Sequence, residues 1–187
     1  MPKLWRSTIE EHRREVREAV VDATARLVDE LGIRSVTMSQ IAESAGIGRA
    51  TLYKYFSDVE EILVAWHQRQ VAAHLDLLTS AAHSAGRPVD RVRAVVQAYA
   101  TIEHEHPTGE MAAALHAGDH VAHGEAHLQR LLTHLLAEGV EAGDVRSDVA
   151  AKELAAFCVH AARAARAMPS KAAVQRLVRV VMAGLSG

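Results

Sequence analysis

The sequence predicts an all-α protein of about nine helices, and three observations lead to this fold class. Gly and Pro are few, with 11 and 4 of each among 187 residues. Strand-like runs of β-branched residues are absent, and apolar residues recur three or four positions apart, as on one face of a helix. A chain of this length can bury a sizeable core. We expect a three-helix head over residues 1–57 and a larger body of antiparallel helices over residues 58–187.

The first long helix is predicted from about Glu11 to Leu31, because Val16, Val20, Ala23 and Leu27 form one apolar stripe. Gly32 follows the stripe and is expected to end the helix. The residues before Glu11 are predicted to form a tail. This first helix would brace the two short helices that follow.

Residues 36–56, VTMSQIAESAGIGRATLYKYF, predict a helix-turn-helix motif. Thr37 is a good N-cap for a helix over Met38–Ala45. Gly46 can adopt the positive φ that ends this helix and turns the chain. A second helix is predicted over Arg49–Phe56.

The second helix is expected to bury Leu52 and Phe56 and to leave polar and aromatic side chains outside. Arg and Lys can reach phosphates or guanine, Thr can donate to phosphate or base, and Tyr rings can contact thymine methyl groups. The pattern also fits a plain helical hairpin with a solvated face. The candidate DNA-contacting residues are Thr37, Ser39, Gly48, Arg49, Ala50, Thr51, Tyr53, Lys54 and Tyr55.

The run GIRSVTMSQIAESAGIGRATLYKYFSDVEEIL resembles the DNA-binding module of the tetracycline-repressor (TetR) family. The resemblance covers about the first third of the chain. It implies a ligand-responsive transcriptional regulator, most simply a repressor, that binds a pseudo-palindromic operator as a homodimer and needs no cofactor. The matching features are Gly32, Thr37, Ile41-Ala42, Ala45-Gly46-Ile47, Thr51-Leu52-Tyr53, Tyr55-Phe56 and a new helix at Ser57.

Three positions depart from the pattern of this family. Gly48 stands where a Ser or Thr often caps the second helix, and Tyr55 stands where His is frequent. Val59 replaces a Lys that often approaches phosphate, which would weaken nonspecific DNA binding.

Arms like residues 1–10 sometimes reach the minor groove in this family, but a frayed terminus fits them as well.

The net charge of −2 excludes a generally cationic surface, so DNA contact must come from a local patch. Cys158 is the single cysteine and cannot form an internal disulfide. No signal peptide is apparent, which together with the cysteine usage predicts a cytoplasmic protein. No apolar run approaches about 18 residues, so no membrane partner is expected.

The body is predicted to consist of further amphipathic helices separated by Gly, Pro and polar residues. Ser57 and Asp58 are expected to cap the first of them, and Pro88 suits the first turn of the next. The predicted ranges are about 57–85, 88 to a break at 104–107, 108–117, a long helix through Leu128 and Val140 that ends at Gly143, 149–167 and 170–185.

The last two helices are rich in small residues and could form a four-helix interface across a two-fold axis. Alternatively, these faces cover the core of a single protomer. The TetR resemblance favours the dimer. The candidate dimer residues are Leu154, Phe157, Cys158, Ala161 and Ala165 on the first helix and Val174, Leu177, Val178, Val181 and Leu185 on the second.

A small-molecule effector is expected in the body, and the 4% aromatic content favours an aliphatic or modest-sized one. Candidate pocket residues are Trp66, Tyr99, Ile102, His116 and His120. Trp66 could also be a hinge contact, but an aromatic at core spacing is more often an ordinary core residue.

Twelve histidines are unusual for this length, and four have helical spacing suited to a metal ion. Gly118 and Gly124 interrupt this face, and no cysteine joins it. A metal-responsive regulator, a protonation-sensitive region or solvated side chains therefore remain open. A metal-dependent enzyme would need an activating carboxylate and an open ligand position, which we do not find, so catalysis is not expected. The candidate ligands are His116, His120, His123 and His127.

Overall fold

The computed structural model describes residues 3–84, 86–105 and 119–186, which are helices and connecting turns without strands. The predicted all-α fold is confirmed. The predicted helix at 108–117, including His116, lies outside the described residues. The helices are α1 (Lys3–Leu31), α2 (Met38–Ser44), α3 (Arg49–Leu52), α4 (Val59–Ala82), α5 (Pro88–Glu105), α6 (Asp119–Glu141), α7 (Ala151–Arg163) and α8 (Lys171–Ala183), with a 3₁₀ turn at Ala164–Ala167.

Helix α1 begins at Lys3 rather than near Glu11, so the prediction of an N-terminal tail over residues 1–10 is wrong. The segment between Lys3 and Glu11 contains neither Gly nor Pro, and nothing in it interrupts helical hydrogen bonding. The apolar stripe marked only the part of the helix that is buried. Gly32, with φ +79°, follows the helix as predicted.

Helix α2 begins as its sequence indicates. The Thr37 hydroxyl oxygen accepts a hydrogen bond from the Gln40 amide at 3.4 Å, and the Gln40 side-chain oxygen accepts one from the Thr37 amide at 2.9 Å. This reciprocal capping box satisfies two otherwise unpaired donors. Gly46, with φ +68°, makes the turn as predicted, in a region where a side chain would be strained.

Helix α3 is shorter than the predicted range of Arg49–Phe56. Beyond Leu52 the chain tightens, since the Lys54 amide donates to the Thr51 carbonyl at 3.0 Å and the Tyr55 amide donates to the Leu52 carbonyl at 2.9 Å. These three-residue steps belong to a 3₁₀ pattern, which often closes helix ends. The turn still points Leu52 and Phe56 inward, and both are buried.

The head, residues 3–70 of the described chain, has its own apolar core built from α1, α2, α3 and the first half of α4. The second compact unit begins at Val71, within α4 and later than the boundary predicted at residue 57. The reason is that the early part of α4 turns apolar side chains into the head. The buried core residues are Val20, Val21, Val36, Met38, Ile41, Ala42, Leu52, Phe56, Ile62, Leu63 and Trp66.

The body, residues 71–105 and 119–186, is organised around α5. This helix packs against α6, α7, the 3₁₀ turn and α8. Pro88 is the first residue of α5, as predicted, where its missing amide costs no helical hydrogen bond. The stripe Val92, Val95 and Val96 is buried, which fixes the face that α5 turns toward its neighbours.

Asp58 precedes α4 and caps it through charge-assisted hydrogen bonds. One Asp58 carboxylate oxygen accepts from the Glu61 amide at 2.8 Å, and the Ser57 amide donates to the Glu61 carboxylate at 2.7 Å. The hydrogen bond from the Glu61 amide, followed by that from the Ser57 hydroxyl, lowers the pKa of Asp58 below its ordinary value of 3.8. The ionised carboxylate is therefore the capping form.

Replacing Asp58 by alanine is expected to lower the melting temperature at neutral pH. Because the pKa of Asp58 is depressed in the folded protein, its contribution is present above the ordinary pKa and is lost as pH falls through the folded pKa. The difference between parent and Asp58→Ala should narrow in acid, as thermal melts followed by circular dichroism would show. Asp58→Asn is the control that keeps a cap oxygen without a charge. A pH-independent difference for Asp58→Ala would contradict this assignment.

Candidate nucleic-acid interface

The nine candidate DNA-contacting residues lie at the start of α2 and along α3 with its following turn, and each is exposed or partly buried. Tyr53 is 50% exposed, and Arg49 and Lys54 are exposed beside it. Leu52 and Phe56 anchor the same segment in the head core. The structure thus places two cations and an aromatic hydroxyl on the outer side of a rigidly anchored turn, which suits contact with phosphates and base edges.

Gly48 and Tyr55 offer less to DNA than the other candidates. Gly48 is the N-cap of α3 and supplies no side-chain hydrogen bond, so this helix has a weaker start than Thr37 gives α2. Tyr55 is partly buried and packs against the head core, so only part of its ring is accessible.

Arg17 and Arg26 of α1 contact the helix-turn-helix, and sequence reasoning missed both. An Arg17 guanidinium nitrogen donates to the Tyr55 carbonyl at 2.9 Å, and its central carbon lies 4.2 Å from the centroid of the Phe56 ring. Arg26 donates to the Ser44 carbonyl at 3.3 Å. These contacts join residues 38 and 18 positions apart, so no local motif marks them.

In the body, a cavity of about 300 Å³ lies between α4 and α5. Of the candidate pocket residues, Ile102 lines this cavity, and His120 is partly buried on α6. Trp66 packs in the head core, as its spacing also allowed, and does not line this cavity. The cavity is lined by His74, Leu77, Ala98, Thr101, Ile102 and Glu105.

Tyr99 belongs to a polar cluster rather than to the lining of that cavity. Its hydroxyl accepts a hydrogen bond from the Arg163 Nε at 3.2 Å, and Arg163 also pairs with Glu125 at 2.6 Å. The buried Glu103 carboxylate accepts from Arg166. Burial, reinforced by the nearby Glu103 carboxylate, raises the pKa of Tyr99 and keeps it protonated.

The histidine region forms a continuous helix where it is described. Helix α6 runs through Gly124, although glycine was expected to interrupt it. A side-chain carbon at Gly124 would lie 3.1 Å from the Val71 side chain of α4, so the glycine lets the two helices pack closely here. His120, His123 and His127 lie on this helix, whereas His116 lies outside the described residues. Within the described ranges, no three His, Cys, Asp or Glu side chains are grouped to hold a metal ion.

Seven of the ten candidate dimer residues are buried within the protomer, and the assignment of this face to an interface stays a prediction. An apolar stripe shows that a helix face is covered, but not by what, and here the protomer's own helices cover it. Phe157 is 42% exposed, while Ala161 and Leu177 are partly buried. Burial raises the pKa of Cys158 to about 12. The core residues, each at most 4% exposed, are Leu154, Cys158, Ala165, Val174, Val178, Val181 and Leu185.

An exposed helix-turn-helix on a compact head, joined in one chain to a helical body, defines a class of DNA-binding regulators. A sequence profile described as bacterial regulatory proteins of the tetR family matches residues 20–66. A second profile, for the C-terminal domain of SbtR-like transcriptional regulators, matches residues 89–187, more than half of the chain. The chain belongs to the TetR family of transcriptional regulators, which bind DNA and are not enzymes.

Two curated relatives share part of this sequence. The repressor KstR of Mycolicibacterium smegmatis is 30% identical over 142 residues, which cover 74% of this chain and 69% of KstR. The regulator BetI of Rhizobium meliloti is 35% identical over 81 residues, which cover 43% of this chain and 40% of BetI. The similarity to BetI therefore spans well under half of that relative.

Solved structures show the same fold at low sequence identity. A TetR/AcrR regulator from Thermobifida fusca has a TM-score of 0.68 at 20% identity, covering 90% of this chain and 97% of that one. FadR of Bacillus subtilis in complex with stearoyl-CoA has a TM-score of 0.61 at 14% identity, covering 90% and 98%. AibR in complex with isovaleryl coenzyme A and operator DNA has a TM-score of 0.57 at 18% identity, covering 91% and 97%. No helix within the described residues is long and apolar enough to span a membrane.

Proposed function

We propose that this protein is a ligand-responsive cytoplasmic repressor that binds a pseudo-palindromic operator as a homodimer. The observation that carries the proposal is the exposed set Arg49, Tyr53 and Lys54 on a segment anchored by buried Leu52 and Phe56. A rigid anchor fixes where the outer side chains lie, and specific contacts with base edges require that precision. Dimerisation would repeat the motif about 34–36 Å away, in the next major groove on one face of DNA.

The dimer surface that we propose is the outward side of α7 and α8. Phe157 is 42% exposed and Val180 is 68% exposed, and large apolar side chains on neighbouring helices favour burial against a second protein surface. Gly184 lies beside the Phe157 ring, where an added side-chain carbon would be only 3.3 Å from it. Ala161 and Leu177 are partly accessible next to them. A two-fold axis through this face would bury the same residues from both protomers.

The cavity between α4 and α5 is the proposed effector site. Leu77, Ala98 and Ile102 supply apolar lining, while His74 and Glu105 add hydrogen-bonding groups. Burial lowers the pKa of His74 and so favours its neutral form. About 300 Å³ lies at the small end of ligand sites, which fits a modest aliphatic effector. Acyl-CoA thioesters of short and long chain belong in a first screen because the similar structures of AibR and FadR hold isovaleryl coenzyme A and stearoyl-CoA.

A salt-titrated gel shift with DNA upstream of the protein's own gene tests the proposed function. A discrete complex at low salt that weakens as salt rises is expected, because Lys and Arg contacts displace counterions from phosphates. Absence of a complex at low salt, with a folded dimer, would refute operator binding. Adding a screen of metabolites and metal ions then tests the response to effectors, since an effector should change the fraction of bound DNA.

Ala98→Trp is expected to fill the cavity and abolish the response to an effector found in that screen. Ala98 lines the cavity and is only partly buried, so the indole would extend into the space that the effector needs. Operator affinity without effector should stay as in the parent. The measurement is the ligand-induced thermal shift, with Ala126→Trp, at an exposed site on α6, as the control. An undiminished shift in Ala98→Trp would place the effector elsewhere.

A further inference from the structure

The two helices of the helix-turn-helix are too short to hold their positions alone. Helix α2 has seven residues and α3 has four, whereas isolated helices below about 12 residues are marginal in water. Helix α2 also has no basic residue in its last turn to offset the negative carbonyl end of a helix. Contacts from other parts of the head must therefore supply much of their stability and orientation.

Helix α1 supplies a cation to the end of each of these helices. Arg26 donates to the Ser44 carbonyl at 3.3 Å, at the last residue of α2, and lies 3.4 Å from the Ser44 hydroxyl. Arg17 donates to the Tyr55 carbonyl at 2.9 Å, at the end of the turn that follows α3. A guanidinium can satisfy such carbonyls and complement the partial negative charge there.

Arg17 makes a second contact that Arg26 lacks. Its guanidinium lies 4.2 Å from the centroid of the Phe56 ring, within the range of a cation–π interaction. Phe56 is buried and anchors the segment in the head core. One side chain of α1 thus holds both the backbone carbonyl of Tyr55 and the aromatic anchor beside it.

We propose that Arg17 is a positioning residue: it holds Tyr53 and Lys54 in the positions relative to α1 that operator recognition requires. The inference rests on the proposed function, because it assigns Arg17 a role in the selectivity of DNA binding. Tyr53 and Lys54 immediately precede the carbonyl that Arg17 holds, so removing this clamp lets them shift relative to α1. Base contacts depend on such placement, whereas phosphate contacts tolerate small shifts. Arg17 therefore supports discrimination of the operator from other DNA rather than affinity for DNA in general.

The test compares the parent with Arg17→Met, which keeps the apolar stem but removes the donors and the charge. The control is Arg14→Met, because Arg14 pairs only loosely within α1, at 3.7 Å from Glu11 and 3.8 Å from Glu18. Dissociation constants are measured for an operator fragment and a scrambled fragment over about 50–200 mM salt. Arg17→Met should weaken operator binding roughly tenfold and scrambled binding less than about twofold. Arg14→Met should leave the ratio of the two constants unchanged.

The salt dependence separates positioning from direct binding of phosphate by Arg17. If the arginine itself bound a DNA phosphate, its replacement would reduce the slope of log affinity against log salt by about 0.9 for each phosphate released. The proposal predicts an unchanged slope for Arg17→Met. A reduced slope, or a parent-like ratio of operator to scrambled binding, would overturn it.

Hydrogen exchange provides a measurement that needs no DNA. Peptides covering residues 49–56 should exchange faster in Arg17→Met and at the parent rate in Arg14→Met, because Arg17 bonds to this segment whereas Arg14 pairs within α1. If residues 49–56 exchange at the same rate in both variants, Arg17 does not hold this segment in place, and that conclusion stands even if no operator is found. If the parent binds no operator, the proposed function is refuted instead. The exchange rates then decide by themselves whether Arg17 holds residues 49–56 in place.

Arg17→Lys keeps the test decisive if Arg17→Met does not fold. An ammonium group retains the charge and a donor but cannot lie flat on the Phe56 ring as a guanidinium does. Operator binding by Arg17→Lys should be about threefold weaker than in the parent, between the parent and Arg17→Met. Parent-like binding and exchange in Arg17→Lys would then overturn the proposal.

Discussion

The Lys54→Ala protein is expected to bind its operator about 10- to 100-fold more weakly than the parent, and Tyr53→Ala should behave similarly. Lys54 is exposed and Tyr53 is 50% exposed, so neither contributes to the head core. Loss of one specific base contact costs about 1–3 kcal/mol. Fluorescence anisotropy of labelled operator measures the change, and thermal melts should show an unchanged fold.

Two controls separate recognition from general effects of charge and size. Lys152→Ala removes the same charge from an exposed position of the body and should leave operator binding unchanged. Tyr53→Phe keeps the ring and removes only the hydroxyl, so it distinguishes contact through the ring from hydrogen bonding. If Lys54→Ala or Tyr53→Ala binds operator as the parent does, the outer side of the α3 segment is not the reading face.

Val180→Asp is expected to convert the proposed dimer to a monomer and to weaken operator binding by roughly 10²–10⁴-fold. Val180 is 68% exposed on α8, so the substitution spares the protomer core but would place a carboxylate within the proposed interface. Two linked half-sites bind far more tightly than one, and separation of the protomers removes this gain. Sedimentation velocity measures the oligomeric state, and anisotropy measures the affinity.

Ala126→Asp is the matched control for Val180→Asp. Ala126 is exposed on α6 and is not among the residues of the proposed dimer surface, so the same charge there should leave both dimer and operator binding intact. A Val180→Asp protein that remains dimeric would place the interface on another surface.

The parts of the fold that sequence reasoning predicted are those governed by local chemistry. The Thr37 cap and the Gly46 turn each depend on a few neighbouring residues, and both are confirmed. The stripes that bury Leu52 in the head and Val92 in the body also follow from helical period alone. Local rules were less reliable at helix ends, where α1 begins eight residues earlier than expected and α3 closes in a tighter turn.

The features that sequence reasoning missed depend on which helix packs over a given helix face. Cys158 and Val178 have the pattern of an interface helix, but the protomer's own helices bury them. Trp66 was a candidate for the pocket of the body, yet the early turns of α4 face the head core and carry Trp66 into it. Arg17 reaches a carbonyl 38 positions away, a contact that neither composition nor period can indicate. These are tertiary relations, and a single sequence does not encode them in any local pattern.

Hydroxyl-radical footprinting of the protein on the DNA upstream of its own gene tests the central claim most directly. Two protected segments on one face of the duplex, centred about one helical turn apart, are expected for a dimer that inserts both α2–α3 motifs into successive major grooves. Protection should disappear for Lys54→Ala at a concentration that saturates the parent. Uniform cleavage by a folded, dimeric parent at low salt would contradict the account.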